Sequence, residues 1–192
     1  MITQNKKVEN TYSMKKALVL LVSFICYQIV CHAQVMDEHY YFKNLSVQNG
    51  LSQNTVNAIL QDKQGFMWFG TKDGLNRYDG LSFRQFKHDG RSQRSIGNNF
   101  ITALYEDAEG NIWVGTDVGL YIYYPEHDSF RHFEELSVED TKIEHTVTAI
   151  VGDDQGCVWI AVESQGLFCY DLEKEQLQNY TLKNFPFIST NV

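Results

Sequence analysis

Three tryptophans, Trp68, Trp113 and Trp159, recur at separations of 45 and 46 residues, and this period constrains the chain more than any other feature. Gly65, Gly110 and Gly156 keep the same spacing, and so do Asp62, Asp107 and Asp153. The first unit reads Val56-Asn57-Ala58-Ile59-Leu60, then Asp62-x-x-Gly65-x-x-Trp68-x-Gly70-Thr71, then Gly74-Leu75-x-x-Tyr78-Asp79. The second and third units repeat it from Ile101 and from Val147. Each unit is a series of short β-branched and aromatic stretches separated by Asp and Gly, which predicts strands joined by tight turns. A period near 45 with four strands per unit is the signature of a β-propeller blade.

The expected fold is therefore all-β, a partial propeller of three four-stranded antiparallel blades. Blade 1 is placed at 51–95, blade 2 at 96–142 and blade 3 at 143–187. In the first blade strand A is expected at 55–61, B at 66–71, C at 75–79 and D at 82–87. Asp62-Lys63-Gln64-Gly65 suits a type I turn closed by a glycine at positive φ, and Lys72-Asp73-Gly74 suits the next turn. The strand-B tryptophans are large enough to fill the gap between neighbouring blades. In the third unit Ile160-Ala161-Val162-Glu163 replaces the Gly-Thr that follows the other tryptophans, which predicts a B–C turn of different shape.

Partial copies flank the full ones. Phe42-Lys43-Asn44-Leu45 has the form of an outer strand D without its own A, B and C, so 34–50 is expected to hold an orphan outer strand. Ile188-Ser189-Thr190-Asn191-Val192 has the form of a fourth strand A, which makes the chain an expected N-terminal fragment of a longer propeller.

The first 33 residues have another character. Lys15 and Lys16 precede a 14-residue apolar run, Ala17 to Val30, and Cys31-His32-Ala33 follows with small residues at the positions a signal peptidase reads. Residues 1–33 are expected to be a signal peptide cleaved before Gln34, with Met14 the better start than Met1. An uncleaved anchor is the alternative, although the run is short of the roughly 20 residues a transmembrane helix needs. Export would leave a protein more acidic still, since this segment holds four of the 16 basic residues and one of the 24 acidic ones.

Composition excludes several classes. The 192 residues are 43% hydrophobic and 14% aromatic, too apolar for disorder and of a length for about one domain. A net charge of -8 argues against a nucleic-acid partner. Four cysteines at 26, 31, 157 and 169 offer no paired zinc ligands, and the six histidines show no metal-binding spacing, so neither metal nor cofactor is expected. Cys157 and Cys169 fall on neighbouring strands of blade 3 and are candidates for oxidation in an exported protein.

The repeat text resembles the two-component regulator propeller family. Gly50-Leu51-Ser52-Gln53-Asn54-x-Val56, Asp62-x-x-Gly65-Phe66-x-Trp68-x-Gly70-Thr71 and Asp73-Gly74-Leu75-Asn76-Arg77-Tyr78-Asp79-Gly80 carry the likeness. It extends over about 37–192. Members of this family form the periplasmic sensor of hybrid two-component histidine kinases in Bacteroides-like bacteria. The resemblance implies a sensor for a sugar or oligosaccharide, further blades and kinase modules C-terminal to this segment, a dimeric receptor anchored in the inner membrane, and transcriptional output. No kinase site can be located in the 192 residues, so no enzyme activity is expected of them. A structural or interaction propeller without signalling output is the alternative, and a propeller glycosidase fragment a weaker one, since no carboxylate pair stands out.

The Asp-x-x-Gly turns invite a calcium reading, but each carries only one or two carboxylates, so Asp62, Asp107 and Asp153 are read as hairpin residues with Gly65, Gly110 and Gly156. Ligand contacts belong on loops. In a propeller the D–A and B–C connections share one face. Here that face carries the long segments 88–98, with Arg91 and Arg94, and 134–145, with Glu134, Glu135, Glu139 and Asp140, and the turn residues Lys72, Asp73, Asp117 and Glu163. Lys72, Arg91 and Arg94 are the expected ligand-binding candidates.

Overall fold

A computed structural model describes residues 16, 18–25, 27, 41–135 and 142–180. The chain divides into two compact units, Met1–Lys43 and Asn44–Val192. In the first unit residues 18–25 are helical and exposed. Among the described residues no helix is long and apolar enough to cross a membrane. The proposed cleavage site after Ala33, the fourth strand A at 188–192, and Glu139 and Asp140 lie outside the described residues.

The second unit is built from three four-stranded antiparallel sheets, each in simple sequence order. The first holds β1 (Val56–Gln61), β2 (Met67–Thr71), β3 (Gly74–Tyr78) and β4 (Phe83–Phe86). The second holds β5 (Ile101–Glu106), β6 (Ile112–Thr116), β7 (Leu120–Tyr124) and β8 (Ser129–His132). The third holds β9 (Val147–Gly152), β10 (Cys157–Val162), β11 (Gly166–Asp171) and β12 (Gln176–Tyr180). The innermost strands β1, β5 and β9 adjoin one another in that order. Side chains stitch them: Asn57 Nδ2 donates to the Ile101 carbonyl at 2.8 Å and Thr102 Oγ1 to the Val147 carbonyl at 2.6 Å.

Two apolar layers lie between the sheets. Trp68 stacks on Phe86 at 5.7 Å and tilts against Tyr123 of the next sheet at 5.4 Å. Trp113 repeats this against Phe133 and Tyr170, each at 5.7 Å. Every residue of β6 is buried, because the middle sheet has a neighbour on both faces. In β1 half-buried and exposed residues alternate, since one face of the first sheet looks outward.

Two expectations need correction. Trp159 is only half-buried, unlike Trp68 and Trp113, which are both 1% exposed. Its strand position is equivalent, but among the described residues no further sheet covers its face. Residues 42–46 form no strand and join none of the three sheets. Phe42 is 98% exposed, and Ser46 instead caps a single 3-10 turn, Val47–Asn49.

Candidate functional site

The Asp-x-x-Gly-x-x-Trp text forms one clamp three times. Asp62 Oδ1 accepts from the backbone N–H of Gln64 and Phe66 at 3.0 and 2.9 Å, while Oδ2 accepts from Trp68 Nε1 at 2.7 Å. Asp107 does the same with Glu109, Asn111 and Trp113, the indole bond measuring 2.9 Å. Asp153 does so with Gln155, Cys157 and Trp159, at 2.8 Å to the indole. Gly65, Gly110 and Gly156 close these turns at φ of 91°, 87° and 84°. The carboxylates are thus occupied by inward N–H donors. The hydrogen bond from tryptophan to aspartate was not foreseen from sequence, although the fixed six-residue spacing was its signal.

On the opposite face the B–C turns meet the lead-in to the following inner strand. Gly74 N–H donates to the Asn99 carbonyl at 2.7 Å, and Gly119 N–H to that of His145 at 3.3 Å. Thr71 and Thr116 close their two-residue turns, each hydroxyl donating to the carbonyl of Gly74 or Gly119 and accepting from a turn N–H. Val162 has no hydroxyl, and the third turn runs through three residues with Ser164 at φ 61°. Gln165 holds it, donating to the Lys142 carbonyl and accepting from Glu144 N–H.

The candidate residues on this face separate. Lys72 is exposed, its Nζ 5.7 Å from the centre of the Phe100 ring. Asp73 is held by Lys87 at 2.6 Å. Asp117 has a buried carboxylate oxygen without a hydrogen-bond partner among the described residues. Arg91 is exposed on a loop whose turn Asp89 organises by accepting from the Arg91 N–H. Arg94 lies elsewhere. The 87–98 segment runs along the outer edge of the second sheet, where the Arg94 carbonyl accepts from Phe130 N–H at 2.9 Å, and Ile96 is fully buried between the sheets.

That course creates a hollow of about 810 Å³, lined by Gln93, Arg94, Glu126, His127, Ser129, Phe130 and Arg131. Neither Arg94 nor Arg131 has an ion-pair partner among the described residues, and the Arg131 guanidinium lies 5.5 Å from the Tyr124 ring centre. The lining of the hollow sets two guanidiniums against the one carboxylate of Glu126, within an acidic chain. A carboxylate or sulfate group would find charge-assisted donors here. Lys72 is not part of its lining. Arg131 and His127 are not among the sequence candidates, because those come from the D–A and B–C connections whereas these two lie in or beside a C–D connection, and the period says nothing of the path a long loop takes.

Beside the hollow, Asp128 joins two blades. Arg84 of β4 reaches it at 2.6 Å and the Tyr123 hydroxyl donates to it at 2.8 Å. The hydrogen bond from Arg84, then that from Tyr123, holds the Asp128 carboxyl below its ordinary value of 3.8. Burial, and then the bond to Asp128, pushes Tyr123 up to about 12.

Residues 50–73 and 95–118 match the two component regulator propeller profile. The first and second sheets thus carry two-component regulator propeller repeats. A solved extracellular domain assigned to a hybrid two-component system of B. thetaiotaomicron is 30% identical and covers 75% of this chain with a TM-score of 0.67. A second such domain from the same organism is 25% identical over 76% of the chain, with a TM-score of 0.60. A protein of Formosa agariphila named Histidine kinase P4 is 36% identical over 78 residues, which is 41% of this chain and 5% of that protein. The chain spans about a fifth of the length of the two solved domains. The three sheets are therefore propeller blades, and the solved relatives are extracellular domains assigned to hybrid two-component systems. Among the described residues no cluster of three or more His, Cys, Asp or Glu side chains has metal-binding proximity.

Proposed function

We propose that this chain is part of the ligand-sensing propeller of a periplasmic receptor in a hybrid two-component system. The observation that carries the reading is the match of three in-phase blades to an extracellular domain of such a system over 75% of the chain. The ligand is a sugar or oligosaccharide, read from the donor-rich hollow beside Arg94 and Arg131 and the loop face carrying Lys72 and Arg91. Residues 1–33 direct export, further blades and kinase modules complete a dimeric, membrane-anchored receptor, and its output controls transcription. This chain is the sensing portion and no enzyme.

Calorimetric titration of the receptor's extracellular region with neutral and acidic oligosaccharides tests it. Binding of one class, weakened at least tenfold in Arg94→Ala/Arg131→Ala, is expected, the loss of two charge-assisted contacts being worth about 1.5–3 kcal/mol each. Absence of binding across both classes would favour a purely structural propeller.

A further inference from the structure

Cys157 opens β10 and Cys169 lies in β11. Their register pairs Cys157 with Asp171 and Trp159 with Cys169, so both thiols stand on one face of the sheet as diagonal neighbours. The same diagonal in the first blade is occupied by Phe66 and Arg77, and there the side chains touch, the guanidinium lying 4.5 Å from the ring centre. In the third blade the two positions of that diagonal are held by free thiols.

We propose that Cys157 and Cys169 form a reversible cross-strand disulfide, made by exchange with a small-molecule disulfide of the glutathione type. Cys157 is the half-exposed partner and Cys169 is 4% exposed, which sets the order of events. Burial, and then the neighbouring Cys157 thiol, pushes the Cys169 thiol up to about 12. The Cys157 thiolate, its proton given to solvent, attacks one sulfur of glutathione disulfide. The S–S bond of that reagent breaks and one glutathione leaves as a thiolate. Cys169 then loses its proton and its sulfur attacks the Cys157 sulfur of the mixed disulfide, expelling the second glutathione. Two protein thiols are oxidised, and one glutathione disulfide is reduced to two glutathiones.

Diagonal Cα atoms in a sheet stand roughly 7–8 Å apart, beyond the usual span of a disulfide, so β10 and β11 draw together locally. A bridge formed under such strain is readily reduced. It also reports on the clamp, because Cys157 N–H donates to Asp153 Oδ1 while Asp153 Oδ2 holds the Trp159 indole.

The test uses the full chain carrying Cys26→Ser and Cys31→Ser, equilibrated with glutathione redox mixtures, quenched in acid, unfolded and alkylated for peptide mapping. The expected result is joint loss of alkylation at both cysteines and a linked 157–169 peptide at least about tenfold more abundant than the glutathione adduct, since the second thiol acts at high effective concentration. Dithiothreitol should restore both thiols. Further introducing Cys169→Ser should leave the glutathione adduct on Cys157 instead. Persistent alkylation of both cysteines, an adduct on Cys157 beside a free Cys169, or a link between two chains would each overturn the proposal.

Discussion

At the scale of single residues the clamp links turn and core through one carboxylate. Asp107 is 3% exposed, so removing its side chain leaves a buried indole N–H and turn amides without an acceptor. Asp107→Ala should lower stability by about 1–3 kcal/mol in chemical denaturation. Asp153 is exposed, and Asp153→Ala should cost less. The tryptophans divide in the same way. Trp113→Ala should cost about 3–5 kcal/mol, the ordinary range for a large buried aromatic, and Trp159→Ala should cost less. Acrylamide quenching checks the difference directly: Trp159→Phe should remove most of the quenchable emission, and Trp68→Phe should leave it.

At the scale of elements the sequence was most informative where a turn specifies a hairpin. The strands of the first blade begin and end within about one residue of their expected bounds, because Asp-x-x-Gly and a positive-φ glycine leave little freedom in the register. The altered third B–C turn was legible too, since replacing Thr by Val removes the hydroxyl that closes the other two. The 87–98 loop was not legible, because its path depends on the carbonyl of Arg94 finding the free edge of β8. Between elements, Gly115 shows how closely blades meet: a Cβ there would lie 2.7 Å from Val147 Cγ1. Gly115→Ala should therefore destabilise by about 1–3 kcal/mol through overpacking, measurable as a lower melting midpoint. The Arg84–Asp128–Tyr123 contact between blades has a pH signature. Its lowered Asp128 carboxyl contributes stability that is present above the unfolded value near 3.8 and lost as pH falls through the folded value. The stability gap between the native chain and Asp128→Asn should narrow below that pH in denaturation curves.

At the scale of the whole molecule the Asn44–Val192 unit holds blades that are each stabilised by their neighbours. The middle blade is covered on both faces, while the first and third each present a face that no described sheet covers. The half-buried Trp159 lies on one of them, with the Tyr180 ring 5.3 Å away. An apolar sheet face is stable when another layer covers it, and β-edges left open are templates for pairing with a second chain. This was only partly readable in advance: the period shows where a tryptophan sits in its strand, whereas its burial depends on the neighbouring blade. Exposed faces of this kind should make the chain associate as its concentration rises. Light scattering across a dilution series should therefore give a mass that increases with concentration, and Trp159 should become less quenchable in step as its face is covered. A discrete dimer would point to two chains sharing their open faces in a closed assembly. A monomer of constant mass that unfolds in one cooperative transition would refute the expectation, and would mean that three blades held by two apolar layers and the Asp–Trp clamps are sufficient by themselves.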